Sequence, residues 1–508
     1  MDTRTEPIHP GAWRPLMLLA LWLLATLGLR PLLQPDEGRY AGVVREMLAG
    51  DGLVPTLDGL PFFHKPPLLY WLDMAAMAVA GVNEWAARFG PAFGAWVLGA
   101  ALFLHLRRWH GVAVARAGLL VLATSPLFFI GAQYVNHDMG VAGAISAAVL
   151  LLVRAVEDPA RTSRRWLMLA WAAVGLGVLA KGLIGVVLPA LAVGPWLLAQ
   201  GRWRQTFSLL HPAGLAVGAA VALPWMLAMQ ARYPGFFDYF IVEQHFRRYA
   251  GASFNNVNGP WFYPVVLLAF MLPWTGWLWP ALRAAAAALT SRTAAAPQPG
   301  LYLWWVAAIV GFFSLPSSKL VGYALPALAP MAALLAPVLV QRPVALRRAG
   351  VGAALLGLGL VAALAWKAPG SNAVLGRTLK AQMAPGDRVV FVEKYFYDLP
   401  FYARLREPVL VVSDWADPKL PLGDDWRKEL FDAARFAPEL GQRLLWPRER
   451  LAAILCHPGT VWFVAPDDRV AGLSALPGLN AVAAHERVQL LRAPGRDCAA
   501  PAARPSRP

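Results

Sequence analysis

Residues 166–200 read WLMLAWAAVGLGVLAKGLIGVVLPALAVGPWLLAQ, and Lys181 is their only charge. The halves on either side, Trp166–Ala180 and Leu183–Gln200, each approach the roughly 20 apolar residues that carry a helix across a bilayer. This stretch reads as a transmembrane hairpin turning at Lys181-Gly182. A second hairpin of the same kind, Leu301–Leu315 and Leu320–Val340, turns at Ser317-Ser318-Lys319. A charge beside an apolar span is costly and usually marks function, so both lysines are candidate site residues.

The rest of the chain agrees with the hairpins. Of 508 residues, 58% are hydrophobic and 15% charged, against roughly 25% charged in a soluble domain. The net charge of +16 comes largely from arginines between apolar segments. That pattern fits the positive-inside rule and not nucleic-acid binding. Placing Arg107-Arg108, the 161–165 cluster, Arg202, Arg204, Arg347 and Arg348 inside predicts about eleven crossings. The count assumes that Leu68–Gly81 stops short of spanning; if it crosses, the number rises toward thirteen and everything upstream flips. The fold class is therefore an α-helical polytopic membrane protein. Residues 1–366 form the transmembrane catalytic domain, with outer loops 30–85 and 230–260.

Beyond Lys367 the composition changes, and sixteen of the 30 acidic residues lie there. Runs at 388–392, 408–412 and 460–464 read as short buried strands, and Trp426–Phe436 as a helix. Residues 367–495 are read as a small soluble α/β domain. Residues 496–508, rich in Pro, Ala and Arg, are read as a disordered tail. Cys456 and Cys498 fall in this exterior region. An oxidising compartment would permit a disulfide, but Cys498 sits in the expected tail, and the pairing stays open.

Ten acidic residues collect on the face opposite the arginine clusters. Asp36 and Glu37 stand just past the first span, where a carboxylate can act as general base, metal ligand or sugar-hydroxyl acceptor. Lys65, held before Pro66-Pro67, is a suitable point-charge partner for phosphate. Asp138 lies in a short turn on the same face. The second outer loop offers Glu243, His245, Arg247 and Arg248, able to bind a metal or orient a phosphate. Two candidate ligands do not make a metal site. No GxxxxGK, HExxH or GxSxG motif occurs, which argues against cytosolic nucleotide chemistry. The residues describe an outward site for an anionic, phosphate-bearing amphiphile.

These motifs resemble a known family. The run Asp36-Glu37-Gly-Arg39-Tyr40-Ala, then Arg45-Glu46-Met47, Gly50-Asp51 and His64-Lys65-Pro66-Pro67-Leu-Leu-Tyr-Trp71, is similar to the first loop of GT-C class polyprenyl-phosphate-dependent glycosyltransferases. The nearest branch is the bacterial aminoarabinose transferases, beside the protein mannosyltransferase-like enzymes. Ala180-Lys181-Gly182, Leu223-Pro-Trp225, Glu243-Gln-His245, Leu272-Pro-Trp274 and Ser318-Lys319-Leu with Tyr323-Ala-Leu-Pro326 extend the match. Glu393-Lys-Tyr-Phe-Tyr-Asp-Leu-Pro-Phe-Tyr402 resembles part of that branch's exterior domain.

The resemblance implies an inverting transferase in the bacterial inner membrane, with its site and C-terminal domain periplasmic. It implies a polyprenyl-phosphate sugar donor and, as acceptor, lipid A or another glycolipid or protein. It makes Asp36 and Asp138 the catalytic carboxylates, with Lys65, Lys181, Lys319, Arg247 and Arg248 on the donor phosphate. Glu37, Arg39, Tyr40 and Tyr323 become supports. One departure stands out: the family often has Glu before the lysine, and this chain has His64. A divalent metal, if used, would draw on His64, Glu243 and His245; no cofactor follows with certainty. A different class fits the same apolar helices and basic residues: a carrier or flippase that binds the lipid phosphate without transfer. Internal repeats or broken mid-membrane helices would favour it, and neither stands out.

Overall fold

The computed structural model describes residues 13–158, 163–247, 256–290 and 298–498. It divides into two compact units, one of Met1–Arg30 with Phe63–Lys367, the other of Pro31–Phe62 with Ala368–Pro508. The sequence reading treated residues 30–85 as a loop of the membrane domain. The structure instead assigns Pro31–Phe62 to the C-terminal unit.

The first unit is helical. Among the described residues, five helices are long and apolar enough to cross a membrane: Phe89–Thr124, His137–Glu157, Pro212–Arg232, Val321–Val340 and Pro343–Lys367. Phe262–Phe270 and Trp274–Leu289 make a sixth if that pair, bent by 100°, is one span. Arg14–Leu24, Leu68–Ala80 and Ile184–Ala199 are shorter apolar helices. The protein is a multi-pass membrane protein. The long Phe89–Thr124 helix breaks at Gly111, whose φ of 85° only glycine adopts without strain. That break supplies the turn expected after Arg107-Arg108.

A buried polar knot fixes one end of the first helix. Arg88 donates to the carbonyls of Leu27 (2.6 Å) and Arg30 (2.9 Å). Arg30 donates to the Gln133 carbonyl at 2.6 Å, and Gln133 donates to the Leu23 carbonyl at 2.8 Å. Carbonyls left open where a helix ends are thereby satisfied away from water.

The second unit is α/β. Its six-stranded sheet runs in the order Leu445–Trp446, Leu410–Val412, Arg388–Val392, Thr460–Pro466, Val488–Pro494, Asn480–His485. The first four strands are parallel, and the last two join antiparallel. The expected strands at 388–392 and 460–464 are present, and 408–412 contracts to 410–412. The other three lack long apolar runs and were not read from the sequence. The expected helix at 426–436 appears as Trp426–Ala434.

Pro31–Phe62 is sewn into this unit by specific bonds. Tyr402 Oη accepts from the Leu32 amide at 2.7 Å. Buried Asp398 accepts from Gln34 Nε2 (2.6 Å), the Asn372 amide (2.7 Å) and Asn372 Nδ2 (2.8 Å). Asp58 accepts from the Val409 amide at 2.8 Å. The start of the expected tail is ordered as well. Arg496 donates its amide to the Leu455 carbonyl, and Cys456 forms a disulfide with Cys498. Residues 499–508 lie outside the described residues.

Candidate active site

The site residues read from the sequence fall into two groups, one in each unit. In the first unit, Asn136 caps the His137–Glu157 helix by accepting from the Asp138 amide at 3.0 Å. Asp138 thus stands in the first turn, where the helix dipole favours a carboxylate. Its Oδ1 forms a close ion pair with Lys181 Nζ at the end of the Ser163–Lys181 helix. Both side chains are largely buried, 7% and 11% exposed, so the pair is only weakly screened by solvent. Lys181 also lies over the Tyr323 ring, 4.4 Å from its centroid, a cation–π contact.

Two glycines make room for this assembly. A Cβ on Gly322 would stand 2.1 Å from Asp138 Oδ2. A Cβ on Gly182 would stand 1.9 Å from His245 Nε2, and Gly182 also has φ +80°. The second loop therefore docks directly on the hairpin turn. His245 Nε2 accepts from the Leu183 amide at 3.3 Å, and Nδ1 bonds the Phe240 carbonyl at 2.6 Å. Burial lowers the His245 pKa, and the charges of Lys65 and Lys181 push the same way. Aromatic packing completes the seat: Phe63 meets Tyr233 and Phe236, and His64 meets Tyr239.

The remaining residues of this unit have other surroundings. Lys319 is buried and donates through Nζ to the carbonyls of Asn258 (2.8 Å) and Pro316. It pins the 256–258 segment. Arg247 is exposed and Glu243 half-buried in the wide helical turn Asp238–Arg247; Arg248 lies outside the described residues. A metal at His64, Glu243 and His245 does not fit. Both ring nitrogens of His245 are engaged, and among the described residues no three His, Cys, Asp or Glu side chains group to hold an ion.

The second group starts the Asp36–Ala49 helix. Arg39 bridges Asp36 and Glu429 in close ion pairs. Its guanidinium also lies 4.9 Å from the Tyr40 ring and 5.6 Å from the Tyr397 ring. Tyr397 Oη donates to Glu429 at 2.6 Å. Burial pushes the Glu429 pKa up, against the pull of Arg39. Glu37 is buried and accepts from the Leu33 amide at 2.9 Å, so it serves the turn. Asp36 keeps 29% of its side chain exposed. Glu429 was missed in the sequence because it lies 390 residues from Arg39 in a helix with no motif of its own.

A helical membrane unit and a small α/β unit in one chain make up a GT-C-like fold. The solved structure of ArnT from Cupriavidus metallidurans bound to undecaprenyl phosphate superposes with a TM-score of 0.80 at 24% identity, covering 95% of this chain and 98% of that one. Residues 64–227 match the family model for dolichyl-phosphate-mannose-protein mannosyltransferase. An undecaprenyl phosphate-alpha-4-amino-4-deoxy-L-arabinose arabinosyl transferase from Sodalis glossinidius is 35% identical over 63% of this chain. One from Pseudomonas aeruginosa is 35% identical over 70%. The chain spans 58% of the first relative's length and 65% of the second's. Its similarity is thus to the aminoarabinose transferases, over about two thirds of its own length.

Proposed function

We propose that this protein transfers 4-amino-4-deoxy-L-arabinose from undecaprenyl phosphate to lipid A or another envelope acceptor, at the periplasmic face of the bacterial inner membrane. The observation that carries the reading is the buried Asp138–Lys181 ion pair, with His245 docked on the turn that follows Lys181. The relatives' names supply the sugar and the carrier.

The chemistry follows from what these groups can do. An acceptor oxygen attacks the anomeric carbon from the face opposite the phosphate. The anomeric C–O bond breaks, its electron pair goes to the phosphate oxygen, and undecaprenyl phosphate leaves with added charge. Lys65 and Lys181 stabilise that charge as it develops. Asp138 acts through Lys181, holding the ammonium in place, and is a positioning residue. A hydroxyl acceptor needs a carboxylate to take its proton, the role that the sequence resemblance gives Asp36; a phosphate acceptor brings no proton to remove.

The test is acceptor-dependent release of free undecaprenyl phosphate by purified protein given the lipid-linked sugar and lipid A. Release is expected with both present and absent without acceptor. Stoichiometric binding without release would make the protein a carrier. Wild-type turnover by Asp36→Asn with a hydroxyl acceptor would remove Asp36 from the base role.

A further inference from the structure

At the end of the helical unit that bears arginine clusters lies a cavity of about 710 Å³. Three helical segments line it, each with one arginine at its start: Arg14 on Arg14–Leu24, Arg116 just after the Gly111 break, and Arg347 on Pro343–Lys367. All three arginines are exposed, and none has a carboxylate partner among the described residues.

Further along the same segments the lining turns apolar. Trp22 comes eight residues after Arg14, Thr124 eight after Arg116, and Ala354 seven after Arg347. At 1.5 Å per residue each wall runs about 12 Å away from its guanidinium. The indole of Trp22 closes the deep end by donating to the Ala123 carbonyl at 3.0 Å. The third wall faces outward: only 17% of the apolar window of Pro343–Lys367 is buried.

We propose that this groove is a binding site for an anionic two-chain glycerophospholipid. Its phosphate sits among Arg14, Arg116 and Arg347, and an acyl chain lies along the groove toward Trp22. Basic pockets between transmembrane helices are suited to anionic headgroups, and two of the helices present their N-terminal dipoles at the same end. A zwitterionic lipid offers the same chains but balances its phosphate with its own cation. By the positive-inside rule the leaflet is the cytoplasmic one, so the groove is separate from the donor seat at the opposite helix ends.

The test uses the full-length protein, delipidated in detergent and titrated with dioleoyl phosphatidylglycerol or dioleoyl phosphatidylcholine. Bound lipid is counted by native mass spectrometry, with all variants matched for thermal midpoint in lipid-free detergent. Phosphatidylglycerol should bind at least about tenfold more tightly. R14Q/R116Q/R347Q should lose that preference. R164Q/R165Q/R204Q, which removes equal charge outside the groove, should keep it. Ala354→Trp blocks the groove while leaving every arginine, and should weaken phosphatidylglycerol binding too. The proposal is overturned if the triple variant keeps its preference, if the control loses as much, or if Ala354→Trp binds like wild type. Displacement of phosphatidylglycerol one-for-one by undecaprenyl phosphate would also overturn it, making the groove a carrier-lipid site.

Discussion

The Asp138–Lys181 pair and the Asp36–Arg39–Glu429 cluster use the same ingredients, a carboxylate against a cation in low-dielectric surroundings, to different ends. The first joins neighbouring helix ends 43 residues apart and sets its lysine over an aromatic ring. The second joins parts of the chain 390 residues apart and surrounds its arginine with two carboxylates and two tyrosine rings. A cation with one carboxylate still has charge to offer a substrate. A cation saturated by two is a fastener. The contrast separates chemistry from architecture more sharply than residue type does.

The strongest way to break this comparison is Lys181→Met. If Lys181 faces the leaving phosphate, acceptor-dependent release of undecaprenyl phosphate should fall at least about a hundredfold, with little change in thermal midpoint. A large midpoint loss with turnover preserved would make Lys181 the fastener. Next is Arg39→Met, which leaves Glu429 without its cation. Unfolding of the full chain in detergent should show a loss of about 3 kcal/mol, partly restored in Arg39→Met/Glu429→Gln. A cost below about 1 kcal/mol would class the contact with ordinary surface pairs.

The smallest effect concerns Asp58, which sharpens the picture of the second unit. Burial pushes its carboxyl well up, and the neighbouring Glu46 charge adds to the shift. Burial raises Glu46 as well. A raised acid binds its proton more tightly folded than unfolded. Its stabilising effect is thus greatest at low pH and is lost as pH rises from the ordinary carboxylate range through the raised value. Asp58→Asn can still accept from the Val409 amide, and it should flatten the fall in thermal midpoint toward neutral pH. A pH profile parallel to wild type would mean that Asp58 does not titrate in the folded chain.

Much of the first unit was legible because membranes impose simple local rules. Apolar runs, lone lysines and turns such as Asn136-His137-Asp138 announced several helices and some of their ends. Lys319 looked like Lys181 by those rules, yet its ammonium is turned onto the carbonyls of Asn258 and Pro316. Nothing local distinguishes a lysine that pairs with a carboxylate from one that faces backbone. The second unit hid more. Asp36, Arg39 and Tyr40 stood out as a motif, but Glu429 and the Val409 amide are partners fixed only by tertiary packing. The ordered start of the tail escaped for the same reason: the Cys456–Cys498 disulfide and the Arg496–Leu455 bond tie residues that composition alone marked as loose.

The insertion of Pro31–Phe62 into a unit otherwise built from the C-terminal part of the chain sets an order of assembly. About 300 residues separate its two pieces. At roughly 5–20 residues per second, a ribosome takes about 15 to 60 seconds to make them. The piece that carries Asp36 is made early and must wait for its partners. Val409, Asn372 and Glu429 do not exist until the last apolar helix has been synthesised. Maturation of the Asp36 neighbourhood is thus a checkpoint on complete translation, and a chain that stalls after Lys367 cannot form it.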